Sequence, residues 1–184
     1  MTNIHTQRLV IRNFVNEDWE QFKEIIIDKE ASKYAIYDYQ FPTTDIDIME
    51  ITKGFARGNN YLAVCESTSG KIIGFISLNG ENERELDLGF CIYSPYQRRG
   101  YAFEACKAVI NYAFSVLNVD ILTSGTANEN HPACKLLHKL GFRISAEGTA
   151  SFRKAPDGFP IEFLGFLFVL SRKNWLEMEG IINE

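Results

Sequence analysis

Six residues invite a chemical reading first: Gln97, Arg98, Arg99, Gly100, Tyr101 and Ala102 stand between a strand-like stretch and a long amphipathic run. The first turn of a helix leaves backbone N–H groups without intrahelical partners, and the helix dipole favours negative charge there. Gly100 and the small Ala102 let oxygen atoms approach the backbone, and Arg98 and Arg99 add local positive charge. A pyrophosphate fits such a site. An ordinary strand-to-helix turn with two solvated arginines fits the same residues. The stretch lacks the Gly-Lys-Ser/Thr ending of a Walker A loop and the two further glycines of a dinucleotide fingerprint, so both of those nucleotide readings fall.

Carboxylates stand just upstream. From Glu85 to Tyr93 the chain alternates, with Leu86, Leu88, Phe90 and Ile92 pointing one way and Glu85, Asp87, Gly89 and Cys91 the other. One face is expected to be core and the other not, which places Asp87 and Glu85 together on the outward side. Either carboxylate could take a proton through water. Both also suit solvated carboxylates at a strand end. His131 and His138 lie seven apart with no third ligand near in sequence, so no metal site is expected. The four cysteines, Cys65, Cys91, Cys106 and Cys134, are spaced far from any CxxC pattern and read as reduced thiols in a cytoplasmic protein. The tyrosines and phenylalanine at 34, 37, 39 and 41 (Tyr34, Tyr37, Tyr39, Phe41) suit either a ligand pocket or plain core packing.

These residues need a scaffold, and the chain supplies one. Its 184 residues suit one domain with one sizeable core. Hydrophobic residues make up 46% and charged residues 23%, with 14 Phe and 8 Tyr, which argues against disorder. The formal charge of -5 speaks against a broad nucleic-acid surface. No apolar run is long enough to span a membrane, and the opening MTNIHTQRLVIR has no signal-peptide core, so neither export nor insertion is expected.

A strand is expected at Arg8 to Phe14, then a helix capped by Asn16 and carried by Trp19, Phe22, Ile25 and Ile26. A second helix runs from about Asp45 to Arg57, followed by a hairpin of residues 61–66 and 71–78 around the turn STSG. After the Glu85 strand come a helix from Gly100 to Leu117, a strand at Asp120 to Thr126, and a helix from about Pro132 to Leu140 closed by Gly141. Two late strands follow at about 142–151 and 161–171. Helices alternate with strands only in the middle, so the fold class is α/β with a mixed sheet flanked by helices rather than a parallel doubly wound sheet.

The segment Gln97 to Ala102 resembles the Q/R-x-x-G-x-G/A motif of the GNAT superfamily of acetyl-CoA-dependent N-acetyltransferases. Thr6-x-Arg8-Leu9-x-Ile11-Arg12 resembles the opening strand of the subgroup typified by the ribosomal-protein N-terminal acetyltransferases RimJ and RimL. Asp87-Leu88-Gly89-Phe90-Cys91-Ile92 is similar to that subgroup's strand E-I-G-Y-W-L, which sets Asp87 in the place of the subgroup's glutamate and makes it the first candidate for a general base acting through water, with Glu85 the second. Asn130-x-x-Ala133-x-x-x-Leu137-x-Lys139-Leu140-Gly141-Phe142 resembles its N-x-x-S-x-x-x-L-x-K-x-G-F helix, and Glu162-Phe163 through Trp175 its last strand and closing helix.

The resemblance implies a single GNAT domain over residues 1–184 with a mostly antiparallel central sheet. It implies that the backbone of Arg98 to Ala102, following Gln97, holds the pyrophosphate of acetyl-CoA. Phe90, Cys91 and Ile92 then pair through their backbone with the pantetheine arm, and Asn130 contacts that arm by its side chain. For Asn130 a helix-capping amide, and for Cys91 a small core thiol, are the competing readings. The implied reaction moves acetyl to a primary amine, a protein N-terminus or a small molecule, by direct attack in a ternary complex, and a homodimer is in keeping with the family. A CoA-ester-binding module without catalysis is the alternative, because Ala133 stands where the subgroup often has serine.

Overall fold

The computed structural model describes residues 2–180. Eight strands form one sheet: β1 (Asn3–His5), β2 (Leu9–Asn13), β3 (Tyr61–Glu66), β4 (Ile72–Asn82), β5 (Glu85–Ile92), β6 (Ile121–Ala127), β7 (Arg143–Ala150) and β8 (Phe163–Ser171). Five helices accompany them: α1 (Trp19–Ala31), α2 (Asp45–Arg57), α3 (Tyr101–Ser115), α4 (His131–Lys139) and α5 (Arg172–Met178). The strand order is β1-β2-β3-β4-β5-β6-β8-β7, and every neighbouring pair is antiparallel except β5 and β6. The mixed α/β class is therefore as expected.

Alternation along the strands builds two separate cores. Leu62 and Val64 of β3 join Leu9, Ile11, Leu88 and Ile92 beneath α3, with Trp175 of α5 and Leu137 of α4 in the same cluster. Ala63 and Cys65, the intervening residues, join Phe75 on the opposite face, where Phe22, Ile25 and Ile26 of α1 and Ile48 of α2 cover them. The expected bare face of β5 is thus corrected: Cys91 packs against this second cluster, while Glu85 and Asp87 at the other end of the strand remain exposed.

Three local expectations also change. The chain opens with an extra strand, β1, paired with β2 through Ile4 and Ile11. Three residues are too few to display a period. Asn16 is exposed and does not cap α1; instead the buried Asp18 accepts from the Val15 N–H at 2.8 Å and from Arg12 at 2.7 and 2.8 Å. A carboxylate taken from water needs that guanidinium fork, which an asparagine does not. Helix α3 ends at Ser115, before Asn118 turns left-handed at φ 57°. Gly141 does close α4, with φ 89° and its N–H donating to His138 O at 3.0 Å.

The feature that shapes the site is a parting of strands. Beta5 and β6 pair only at Glu85–Ile121, Leu86–Leu122 and Asp87–Thr123. Beyond them β5 continues with β4 and β6 with β8, and one buried hydrogen bond, Ser124 Oγ to Leu88 O at 2.8 Å, marks where the gap begins.

Candidate active site

The gap leaves backbone groups of β5 unpaired. Tyr93 N–H donates to Ile73 O of β4, whereas the Leu88 and Ile92 carbonyls face the other way, taken by Ser124 Oγ and by Gln97 Nε2 at 2.7 Å. Residues two apart in a strand direct their peptide groups to the same side. The N–H and C=O of Phe90, between Leu88 and Ile92, therefore point into the gap and form a short open edge. Cys91 points its side chain elsewhere. Burial pushes its thiol up to about 12, with Lys29 opposing that rise, so it stays protonated near neutral pH and is no thiolate nucleophile. Its sulfur belongs to packing, and its peptide groups face β4 opposite Phe75 rather than the gap where pairing with pantetheine was expected.

At the end of β5 the chain enters α3 through Gln97 to Ala102. Arg98 has φ 62° and Gly100 has φ 84°, so two left-handed residues bracket Arg99. Such a sequence of conformations curls successive N–H groups around a concavity suited to an anion. At Gly100 any Cβ would be strained and would lie 3.3 Å from Arg8 Nη2. Arg98 adopts the left-handed region without glycine's freedom, a cost typical of functional loops. Its structural surroundings come from the β1–β2 turn. Arg8 Nη1 donates to Arg99 O at 3.0 Å, and its guanidinium lies 4.4 Å from the centre of the Tyr101 ring. Glu104 of α3 accepts from Thr6 Oγ1 at 2.6 Å, Arg8 N at 2.8 Å and Arg8 Nε at 2.7 Å. Glu104 carries no local signal in the sequence, because its partners lie 96 and 98 residues away.

Asp87 and Glu85 line an open groove of about 240 Å³ together with Gly80, Glu81 and Thr123. The groove walls raise the Asp87 carboxyl above its ordinary value by desolvation, although the residue reaches solvent. Thr123 opposes that rise by donating to Asp87 Oδ2 at 3.1 Å. A carboxylate held so accepts a proton at higher pH than a free one does. A second hollow of about 280 Å³, lined by Gln21, Glu24, Lys71, Ile72, Tyr93 and Tyr96, contains none of the expected site residues.

Asn130 serves as the N-cap of α4, its Oδ1 accepting from Ala133 N at 3.4 Å. That employs the oxygen; the amide NH₂ makes no side-chain hydrogen bond among the described residues. Cys134 turns toward Ala127 O, 3.6 Å away, and does not replace the hydroxyl missing at Ala133. Tyr37 donates to Glu129 next door, and its ring stands 5.1 Å from Phe163. Tyr39 packs on Phe152 at 4.7 Å. The aromatic stretch therefore joins the α1–α2 connection to the β6–α4 and β7–β8 connections. Arg153 ties the same elements, pairing with Glu30 at 2.9 Å and donating to Asp38 O at 2.8 Å. No spacing in the sequence signals contacts between residues 123 apart.

Among the described residues no group of three or more His, Cys, Asp or Glu is placed to hold a metal, and no helix is long and apolar enough to cross a membrane. Comparison with known proteins gives this geometry a context. The model of the acetyltransferase (GNAT) domain matches residues 8–143. The uncharacterized N-acetyltransferase YnaD of Bacillus subtilis (strain 168) is 29% identical over 144 residues, covering 77% of this chain and 82% of its own. The spermidine N(1)-acetyltransferase of Escherichia coli (strain K12) is 28% identical over 87 residues, 47% of this chain and 46% of its own. A GNAT-family acetyltransferase structure from Bacillus anthracis shares the fold, with a TM-score of 0.80 at 21% identity and coverage of 94% of this chain and 99% of that one. The matched segment contains the parted strands, the carboxylate groove and the arginine-flanked helix start, and the chain belongs to the GNAT family of N-acetyltransferases.

Proposed function

We propose that this protein transfers the acetyl group of acetyl-CoA to a primary amine, a protein N-terminus or a small amine, by direct attack in a ternary complex, in the manner of the RimJ/RimL-like subgroup. The observation that carries the proposal is the meeting of three features at one strand: an open backbone edge at Phe90, an anion-suited loop at residues 98–102, and the Asp87 groove at its other end. The four free cysteines suit a reducing, cytoplasmic setting.

Acetyl-CoA, when bound, supplies the acetyl group as a thioester that the amine nitrogen attacks, with the CoA thiolate leaving. The chain's part is positional and protonic. Backbone N–H groups of Arg98 to Ala102 hold the pyrophosphate, assisted by the α3 dipole and by Arg98 and Arg99. The N–H and C=O of Phe90 and the N–H of Ile92 offer a short strand edge to the amide-bearing pantetheine, and Asn130 offers its free NH₂. Glu81, Glu85 and Asp87 give the groove a negative potential that attracts a protonated amine. Asp87, through water, takes the proton that must leave before the nitrogen is a nucleophile.

The second reading, a CoA-ester-binding module with little turnover, is favoured by Ala133 and by the turned-away Cys134, which together leave α4 without a hydroxyl at the subgroup's serine position. Two measurements divide the readings. Acetyl-CoA at a hundredfold excess over its Kd should stabilise the protein by about 2.7 kcal/mol, raising Tm by about 5–10 °C. Thiol release across a panel of amines and N-terminal peptides should then reveal at least one acceptor. An unchanged Tm at millimolar acetyl-CoA defeats both readings, and binding with no thiol release for any acceptor leaves the module.

A further inference from the structure

Glu104 occupies an awkward place for an anion site. It lies in the first turn of α3, where its negative charge opposes the helix end that would receive a phosphate. The structure surrounds it with donors: Thr6 Oγ1, Arg8 N and Arg8 Nε, with Arg8 Nη2 a further 2.6 Å contact. Arg8 thus forks onto the carboxylate through two nitrogens, and its remaining terminal nitrogen, Nη1, reaches Arg99 O. Because a trans peptide is planar with C=O and N–H opposed, holding the Arg99 carbonyl toward Arg8 aims the Gly100 N–H to the other side of the loop. The absence of a Cβ at Gly100 leaves room for that guanidinium. Tyr101 closes the arrangement from below, its ring under Arg8 and its hydroxyl donating to Glu66 at 2.9 Å.

We infer that Arg8 and Glu104 are positioning residues for the pyrophosphate loop: Glu104 orients the Arg8 guanidinium, and Arg8 both holds the Arg99 peptide in its anion-facing orientation and offsets the Glu104 charge. The inference rests on the reading of residues 98–102 as the pyrophosphate site. It explains in physical terms why a threonine and an arginine at the first hairpin accompany a phosphate loop some ninety residues later.

The test compares acetyl-CoA with S-acetylpantetheine, a thioester donor that carries no pyrophosphate, using the full chain and its best acceptor. Arg8→Ala should lower kcat/KM for acetyl-CoA by about tenfold or more, chiefly through KM, and should lower the ratio of the two donors' kcat/KM values by a similar factor. Arg8→Lys keeps the charge but not the fork and should restore only part of that ratio. The double variant Arg8→Ala with Glu104→Gln should outperform Arg8→Ala, since it removes the uncompensated carboxylate. Equal losses with both donors, or a double variant no better than Arg8→Ala, would overturn the inference while leaving the acetyltransferase reading intact. Wild-type protein that binds no acetyl-CoA overturns both. If Arg8→Ala does not fold, Arg8→Lys decides alone: an undiminished donor ratio refutes the positioning role.

Discussion

Asp87 is where geometry and protonation meet. Desolvation raises its carboxyl and the Thr123 hydroxyl lowers it, so the acid limb of kcat/KM for a good acceptor should lie above the ordinary carboxylate range. Activity is present above that limb and falls as the pH drops through it, because the base must be ionised to take a proton. Asp87→Asn should cost about 100-fold or more in kcat and remove the limb. Thr123→Val removes the hydrogen bond that favours the charged form, so the limb should move to higher pH. A pH–rate profile of each variant checks both, and a limb that survives in Asp87→Asn excludes Asp87 as the base. Alternation made the shared exposed face of Asp87 and Glu85 legible, and the preference for Asp87 came from its match to the subgroup's glutamate. Glu104 and Glu66 were not legible, since their roles arise from contacts across the fold with Arg8 and Tyr101.

At the scale of elements, the C-terminal end of α1 is bolted to the β7–β8 connection by Glu30 and Arg153, side chains only 12% and 14% exposed. Burial alone would raise the Glu30 carboxyl, but the Arg153 hydrogen bond, the Phe41 N–H and the nearby Lys29 hold it below its ordinary value. The sign follows: a carboxyl depressed in the folded state contributes stability above its unfolded value and loses it as pH falls through the folded one. Arg153→Ala leaves Glu30 buried without its main partner and should cost about 3–5 kcal/mol near neutral pH. The variant should also lose less stability than wild type on acidification, as urea melts at about pH 7 and about pH 4 would show. Equal acid sensitivity in the two proteins would count against the pair.

Elements were visible in proportion to how local their signals are. Helices α2 and α3, with apolar residues at helical spacing, and β5, with strict alternation, could be placed within a few residues. The insertion of β8 between β6 and β7 follows from pairing across the sheet, which no periodicity encodes. The start of α1 depended on Arg12 reaching Asp18, and Asn16 offered a plausible cap in the absence of that contact.

For the molecule as a whole, the sheet separates two apolar clusters, and protection of backbone amides should follow that layering. Beta3 and β4, covered on both faces, should exchange hydrogen slowest; β7, exposed along almost its whole length at the sheet edge, should exchange fast. Acetyl-CoA should add protection at Phe90 and at Gly100 to Ala102 while leaving β7 unchanged. Hydrogen exchange resolved to single amides checks this, and protection spread evenly over the sheet would argue against localised binding. The net charge of -5, which spoke against a nucleic-acid surface, does not conflict with the proposed anion site, because Arg98 and Arg99 are adjacent in one loop with Arg8 beside them.

The parting of β5 from β6 also has a meaning in time. The five strands on one side of it, β1 to β5, are neighbours in the order in which they occur along the chain, and the chain passes to the other side only once, through α3. A ribosome therefore delivers a complete antiparallel meander before any residue of β6 has been made, and such sequential pairing is the kind that forms early. The later strands then dock along three residue pairs, and the unzipped remainder is left as the cleft proposed to receive acetyl-CoA.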